Sequence, residues 1–289
     1  NLSSQNIAAK SKGGFSWRTD ANLFFNREKI VALQQGLQAD IGNGWFVGHP
    51  ITVIYDVKKI GIWQTKDAAE AQRFGAQPGD IRFLYFVGNG SMGAGDRHII
   101  GNFQPTFVAG MTNNFQYKNF DLNVVMFGRF GQTVVCTYLS ADGGGSGYPF
   151  FMNSRVNQHK VDYWTPTNPT DAFPQPDASR DGQLFTSTLT YRDGSFIKLR
   201  TIDLGYNFAP KLLNKANISS MRIYVSAQNP FILWAPLVRD GLGLDPEGNG
   251  TGNSVSSSAG GTPVQGRAIT VNMGVPPTRQ FIMGVNLRF

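Results

Sequence analysis

The chain has 289 residues, of which 41% are hydrophobic and 16% are charged, and it contains 34 glycines and 22 phenylalanines. High glycine and aromatic content with few charges is typical of an all-β protein with many turns. No stretch approaches the ~18 consecutive apolar residues of a membrane-spanning helix. The net charge of +7 is spread over single basic residues, so nucleic acid is not an expected partner.

Residues that commonly carry catalysis or bind metals are few in this sequence. The single cysteine, Cys136, excludes an internal disulfide, and His49, His98 and His159 stand isolated in loop-like stretches. A zinc site or a histidine-based catalytic site needs several such groups at close spacing. We therefore expect no enzyme activity, no metal site and no cofactor.

The final stretch, residues 278–289, alternates large apolar residues with small or polar ones. This period of two predicts a strand. An unbroken apolar face that ends on an aromatic residue is typical of a strand in a transmembrane barrel, although an edge strand of a soluble sandwich is an alternative. The apolar positions are Phe281, Met283, Val285, Leu287 and Phe289.

Five earlier segments alternate in the same way, and the first matches the ~9–11 residues that a tilted barrel strand needs. Only Lys118 and Asn119 separate two of them, which predicts a hairpin. A change of phase near Arg200 or Thr201 predicts a β-bulge. Residues 65–74 are rich in good helix formers and predict a short helix. The five segments are 15–26, 106–117, 120–134, 195–208 and 221–228.

Long and short connections alternate between these segments without exception. Outer-membrane barrels have this pattern because short turns lie on one side of the membrane and extended loops on the other. About six antiparallel strands cannot close a barrel, and open strand edges are not tolerated in lipid. The remaining strands are expected from an N-terminal portion of the protein, with a second chain or further copies of this chain as alternatives. We therefore expect an all-β fold in which about six transmembrane strands with long extracellular loops form part of a larger outer-membrane β-barrel.

Polar residues on the alternate positions of these strands are candidates to face the barrel lumen. Tryptophans in the long loops are candidates to contact a substrate or a lid, because indole rings stack on sugars and on peptide side chains; packing within the loops or at the membrane interface is the alternative for each. The lumen candidates are Arg18, Asp20, Asn22, Asp121, Asn123, Arg129, Arg222, Tyr224, Gln228, Asn286 and Arg288, and the loop candidates are Trp45, Trp63, Trp164 and Trp234.

An ordered set of short motifs spans nearly the whole chain. They are FSW at 15–17, NLFFN at 22–26, GIWQT at 61–65, PGDIRF at 78–83, DRHIIGN at 96–102, YKNFDL at 117–122, YWTP at 163–166, DGSFIKLR at 193–200, LGY at 204–206, SAQN at 226–229, DPE at 245–247 and the terminal Phe289. With these motifs the sequence resembles the SusC/RagA-like, TonB-dependent outer-membrane transporters of Bacteroidota.

The resemblance implies a 22-stranded barrel plugged by an N-terminal domain. Residues 1–289 are then expected to form the C-terminal part of the barrel, with the plug and the N-terminal strands outside this chain and the C-terminus in the periplasm. Some lumen candidates are then expected to contact the plug. The family imports glycans, peptides or similar oligomers, so the implied partners are a SusD-like surface lipoprotein, TonB acting through an N-terminal segment, outer-membrane lipid and an oligosaccharide or peptide substrate. A β-rich surface module that binds a ligand without transporting it is the alternative.

Overall fold

The structure is a computed structural model that describes residues 1–10, 14–85, 94–139, 160–176, 186–213, 217–243, 245–247, 250–252, 268–271 and 278–289. Strands dominate these ranges, with three short α-helices: α1 (Ala68–Arg73), α2 (Pro210–Leu213) and α3 (Pro236–Arg239). The strands are β1 (Leu2–Ile7), β2 (Ser16–Phe24), β3 (Ala39–Asp40), β4 (Trp45–Phe46), β5 (Val53–Asp56), β6 (Lys59–Ile62), β7 (Ile81–Phe83), β8 (His98–Asn102), β9 (Phe107–Tyr117), β10 (Phe120–Phe130), β11 (Thr133–Cys136), β12 (Tyr191–Asp193), β13 (Phe196–Asn207), β14 (Ser220–Trp234), β15 (Gly250–Gly252), β16 (Ala268–Val271) and β17 (Gln280–Arg288).

The longest strands form one seven-stranded sheet in the order β1-β2-β9-β10-β13-β14-β17. Every neighbouring pair in it is antiparallel. The expectation of a large antiparallel sheet is confirmed, and each of the six segments predicted from alternation overlaps one of its strands, although β14 extends beyond the predicted 221–228 to Trp234. No helix in the described ranges is long and apolar enough to cross a membrane.

The sheet has one strand, β1, beyond the about six that the alternation predicts. This strand is mostly polar, with Leu2 and Ile7 at its ends, so it lacks the apolar alternation that marks the others. Its antiparallel pairing with β2 makes it a strand: Leu2 lies opposite Ala21, and the register shifts between Gln5 and Ile7.

The predicted hairpin and the predicted bulge are both present. Tyr117 pairs with Phe120 across the two-residue turn, where Lys118 adopts a φ of 54°. In the pairing of β10 with β13, Val125 lies opposite Thr201 and Met126 opposite Leu199, so Arg200 is the extra residue. This bulge reverses the phase of β13, as the sequence indicated.

The connections differ sharply between the two ends of the sheet. The turn at Lys118 and the link that contains α2 are short, whereas the connections after β2, β10 and β14 are long and carry smaller sheets. We call the described residues of these three connections, within 25–106, 131–195 and 235–279, the loop domain. The helix predicted at 65–74 is there, as a 3-10 turn followed by α1.

The hydrophobic core lies in the loop domain rather than in the large sheet. In the described part of the chain, Phe196 is the one hydrophobic residue of the seven-stranded sheet that is fully buried. All three long connections contribute to one buried cluster: Val57, Ile62, Ile81 and Phe83 from the first, Val134, Cys136, Tyr138, Leu139, Trp164, Phe173 and Leu189 from the second, and Leu237, Leu242 and Val271 from the third. The loops therefore fold like a small soluble protein.

Several of the sequence motifs meet around Trp164. Its indole Nε1 donates a hydrogen bond to Gln64 Oε1 at 2.8 Å. Its ring also covers Gly79, whose φ is +94° and where a Cβ would lie 2.8 Å from Trp164 Cε3. The carboxylate of Asp171 accepts the backbone N–H of Ile62 at 3.0 Å. Motifs about 100 residues apart thus build one loop core.

Replacing Trp164 tests whether this core holds the loops. Trp164→Ala is expected to cost about 3–5 kcal/mol, because it leaves a large cavity and removes the donor to Gln64 Oε1. Tyr163→Ala, at an exposed neighbour, is expected to change stability by about 0.5 kcal/mol or less. The measurement is protease resistance and thermal unfolding of the protein in detergent. Equal losses for the two variants would contradict a core role for Trp164.

Candidate functional site

The strand register places every predicted lumen residue on the same face of the seven-stranded sheet, which we call the polar face. Residues opposite each other in neighbouring strands share a face, so one row can be followed across the sheet. A row through the middle runs Gln5, Arg18, Asn114, Asn123, Asp203, Ser226 and Ile282. The other predicted residues lie in parallel rows on that same face.

The opposite face, which we call the apolar face, carries large exposed hydrophobic side chains such as Leu204, Val225 and Met283. Aromatic rings lie at both ends of it. Phe107, Phe130 and Trp234 stack at the loop end, with ring centroids 4.5 and 6.2 Å apart. Tyr117, Phe120 and Tyr206 lie at the short-turn end, where Phe120 and Tyr206 meet edge to face at 4.9 Å.

The separation of these aromatic ends matches a membrane. Strand β9 has 11 residues and joins them, from Phe107 to Tyr117. At ~3.3 Å per residue it is about 33 Å long, and a tilt of ~35–45° reduces its height to about 25 Å, the height of the apolar band of outer-membrane barrels.

A tight ion pair lies on the polar face near the short-turn end. Arg222 Nη2 and Nε donate to the two carboxylate oxygens of Asp121 at 2.5 and 3.1 Å, and Asn207 Nδ2 donates to Asp121 Oδ1 at 2.6 Å. The guanidinium lies over Gly205, where any Cβ would overlap it. Bidentate pairing fixes both side chains against the sheet.

Tyr224 and Gly284 show the same kind of close packing. The Tyr224 ring occupies the space that a Cβ on Gly284 would need. The Arg222 guanidinium lies 5.2 Å from the centre of the same ring. Asn286 lies opposite Arg222, so these residues form one ordered patch on the polar face.

The remaining predicted residues are more loosely connected. Arg18 and Asp20 form an exposed ion pair at 2.9 Å, and Asn123 Nδ2 lies 3.4 Å from Asp203 Oδ2. The Arg129 guanidinium lies 5.8 Å from the centre of the Phe127 ring. Asn22 occupies the space above Gly110, while Gln228 and Arg288 are placed on the polar face by their pairing with Gln280 and Ser220.

A buried charge cluster, which the sequence did not reveal, joins the polar face to the loop domain. Lys198 is only 2% exposed, and its Nζ lies 2.6 Å from Asp245 Oδ2 and 3.1 Å from Glu247 Oε2. Arg200 Nη2 donates to Glu247 Oε1. We call these four residues the charge cluster. Because Asp245 and Glu247 belong to the connection after β14, the cluster fixes that connection to β13.

The bulge at Arg200 is what allows this arrangement. Thr201 and Asp203 lie on the polar face, so without an extra residue the alternation would turn Lys198 to the apolar face. The bulge restores Lys198, opposite Phe127, to the polar face. The Arg200 guanidinium lies 4.8 Å from the centre of the Phe127 ring on that face.

The charges around Glu247 shift its pKa. Burial raises the pKa of this carboxyl, but the hydrogen bonds from Arg200 and Lys198 outweigh burial, so the pKa lies below its ordinary value of 4.5. The carboxylate is therefore charged at neutral pH, and the cluster is held by two cations and two anions.

The predicted tryptophan contacts need correction. Trp63 is 1% exposed and Trp164 2% exposed, so both are core residues of the loop domain and cannot contact a substrate. The Trp63 ring stacks on the Phe74 ring, and the Arg82 guanidinium lies 4.4 Å from the centre of the Trp63 ring. Trp234 ends β14 on the apolar face and is not a loop residue. Trp45, half-buried in the hairpin of β3 and β4, remains a candidate.

Over the ranges that the structure describes, no group of three or more His, Cys, Asp or Glu side chains is placed to hold a metal ion. Cys136 is buried in the loop core, and burial raises the pKa of its thiol to about 11. The expectation that the protein uses no metal or cofactor stays a prediction.

An apolar face with aromatic ends, a polar face, short turns at one end and folded loops at the other define the wall of a transmembrane β-barrel. No family model matches the chain. TonB-dependent receptor P3 of Formosa agariphila is 30% identical over 307 residues, which cover 100% of this chain and 28% of that protein. TonB-dependent receptor SusC of Bacteroides thetaiotaomicron is 24% identical over 281 residues, which cover 95% of this chain and 24% of that protein.

Solved structures have the same fold. A structure of the RagAB peptide transporter matches with a TM-score of 0.66 and 20% identity, covering 99% of this chain and 28% of the matched chain. The RagAB peptide importer in the open-open state matches with a TM-score of 0.64 and 18% identity over the same shares. The chain is therefore similar over nearly its whole length to one segment of SusC-like TonB-dependent receptors, and it spans less than a third of the length of these relatives.

The charge cluster gives a prediction on stability. Asp245→Asn is expected to cost about 3–5 kcal/mol, because it leaves the buried Lys198 with Glu247 as its single anionic partner in the cluster. The double variant Lys198→Met/Asp245→Leu is expected to recover most of this loss, because it removes both buried charges. Urea unfolding in detergent measures both variants. Arg18→Gln, in an exposed ion pair, is the control and is expected to leave stability unchanged. A double variant no more stable than Asp245→Asn would contradict the charge-pairing explanation.

The pKa of Glu247 gives a prediction on pH. A carboxyl with a lowered pKa in the folded state stabilises that state fully above its unfolded value of 4.5 and loses this contribution as the pH falls through the lower, folded value. Hydrogen exchange at residues 245–247 is therefore expected to accelerate only in acid below about pH 4.5. Glu247→Gln should remove this step, whereas Asp162→Asn, elsewhere in the loop domain, should keep it. A step that persists in Glu247→Gln would rule out Glu247 as its source.

Proposed function

We propose that this chain forms part of the barrel wall and the extracellular loops of a transporter that imports oligomeric nutrients across the outer membrane with energy from TonB. The observation that carries the proposal is a sheet that has one polar face and one apolar face and that carries folded loops at one of its ends. The names of the relatives support the energy source and the activity, since all are TonB-dependent receptors or a peptide importer and none is named as an enzyme.

The polar face lines the lumen in this proposal, and the apolar face contacts lipid. The short turns then lie in the periplasm together with the C-terminus, and the loop domain lies outside the cell. The Asp121, Arg222 and Tyr224 patch, near the periplasmic end, is a candidate contact for a plug. The plug and the N-terminal strands are proposed to belong to other parts of the protein. Those strands are proposed to pair with β1 and β17, which lie at the two edges of the sheet described here.

A SusD-like surface lipoprotein is the proposed partner of the loop domain, and TonB the proposed partner at the periplasmic side. Oligosaccharides and peptides both remain candidate substrates. The RagAB structures are titled as a peptide importer and transporter, but at 18–20% identity they support the fold and do not select between the two classes. The alternative, a surface module without transport, does not explain a continuous apolar face between two aromatic ends.

A pair of neighbouring residues tests the orientation and the transport role together. Asn123 lies on the polar face, and Leu122 lies on the apolar face of the same strand. Asn123→Trp is expected to reduce import several-fold because it fills lumen space, whereas Leu122→Trp replaces one apolar side chain by another in lipid. The measurement is uptake of labelled peptides and labelled oligosaccharides by cells that produce the full-length native protein or one of the two variants.

Two controls accompany this experiment. Heat-modified mobility on a gel shows that both variants fold into the membrane, and a strain without TonB shows whether uptake needs energy. Equal uptake by the two variants would contradict the proposed orientation. Uptake that is undiminished without TonB would contradict the proposed mechanism, and the class of oligomer that is taken up identifies the substrate.

A further inference from the structure

A groove of about 520 Å³ opens on the apolar face of the sheet near the loop end, lined by residues from β1, β2, β9, β10 and β13, with Asn1 and Leu2 at its β1 side. Its floor consists of small residues, Ala21, Ala109 and Gly128. In the row that crosses the groove, Leu23 lies opposite Ala109, Ala109 opposite Gly128, and Gly128 opposite Ile197. Ala109 and Gly128 are small and adjacent in this row, while Leu23 and Ile197 on either side are large. The two small residues therefore leave a depression in the apolar face.

Aromatic packing closes the upper wall of the groove. The Phe130 ring leans over Gly128, where a Cβ would lie 2.8 Å from Phe130 Cε2. Phe130 is itself fixed between Phe107 and Trp234 by stacking. Met111 and Met126 border the groove toward the centre of the sheet. A volume of this size falls within the ~300–1,000 Å³ of ligand pockets, and its walls are held by the sheet.

The depth of the groove places it in one leaflet. Its cross-row lies two residues from Phe107 and Phe130, which mark the aromatic band at the loop end. With the loop end outside the cell, as proposed above, the groove lies at the level of the outer-leaflet acyl chains. Lipid tails are as apolar as this wall, so apolar lining alone selects no particular lipid.

Charge just beyond the groove supplies a basis for selection. Strand β2 carries Leu23 into the groove and ends at the exposed Phe24, and the chain then runs through Phe25 to Arg27, Glu28 and Lys29, which are exposed as well. This segment has two cations and one anion at the level where lipid head groups lie. Basic residues at a membrane surface attract anionic head groups.

We propose that the groove binds an acyl chain of an outer-leaflet lipid whose phosphate-bearing, anionic head group contacts Arg27 and Lys29. The shape of the groove selects the chain, and the two cations select the head group. The proposal rests on the orientation given under the proposed function, but not on import, so the two can fail separately.

The test fills the groove in the native, full-length protein. Ala109→Leu places a larger side chain on the floor and is expected to lower the amount of bound lipid at least about tenfold. The matched control is Ala227→Leu, the same change on the apolar face of β14, outside the groove. Native mass spectrometry of protein extracted in mild detergent measures the lipid retained per barrel, and heat-modified mobility confirms folding. If Ala109→Leu does not fold, Ala21→Leu on β2 replaces it.

The head group is tested by Arg27→Gln/Lys29→Gln, at exposed positions where folding is not at risk. This variant is expected to lose the anionic lipid and to bind added phosphatidylethanolamine no less than the wild type. Equal retention of lipid by wild type and Ala109→Leu, or a wild type without bound lipid, would overturn the site. Displacement of the anionic lipid by equimolar phosphatidylethanolamine in the wild type would overturn the head-group preference.

Discussion

The pairing of backbone groups in a medium without water is the constraint on which this structure depends. An N–H or C=O that stays unpaired in hydrocarbon costs several kcal/mol, so the long strands form one continuous antiparallel ladder from β1 to β17. Strict pairing in turn fixes which residues share a face. One face then gathers polar side chains and the other apolar ones, and a shift by a single residue would exchange them.

The bulge at Arg200 shows how this constraint is met where the sequence departs from alternation. Lys198 is needed on the polar face to pair with Asp245, while the leucines and isoleucines on either side of the bulge are needed on the apolar face. One extra residue satisfies both requirements, although it disrupts the backbone pairing of β10 and β13 at one position. The charge cluster, the bulge and the attachment of the third loop are therefore one structural unit.

Much of the sheet could be predicted from the sequence, because period-two alternation is a local property. The strands, the hairpin at Lys118 and the bulge all follow from residues within a few positions of each other. β1 could not be found this way, since its polar side chains carry no alternation and only its partner β2 makes it a strand. The polar face was predicted for the same local reason as the strands.

The loop domain was far less predictable, because its contacts join distant segments. Lys198 and Asp245 are 47 residues apart, and Trp164 and Gln64 are 100 apart. Nothing near Trp63 or Trp164 in the sequence indicates that either is buried, so the sequence alone does not decide between substrate contact and packing within the loops. Burial of a loop tryptophan depends on which other loops fold over it.

A core located in the loops also determines where this protein can vary over evolution. In most barrels, loops accept insertions and substitutions freely, because they bear little packing. Here residues from all three long connections share one tightly packed interior, so a change there is as costly as a change inside a soluble enzyme. Substitutions are therefore tolerated mainly at the exposed residues around that interior, such as Val31, Leu37 and Ile41 in the first connection.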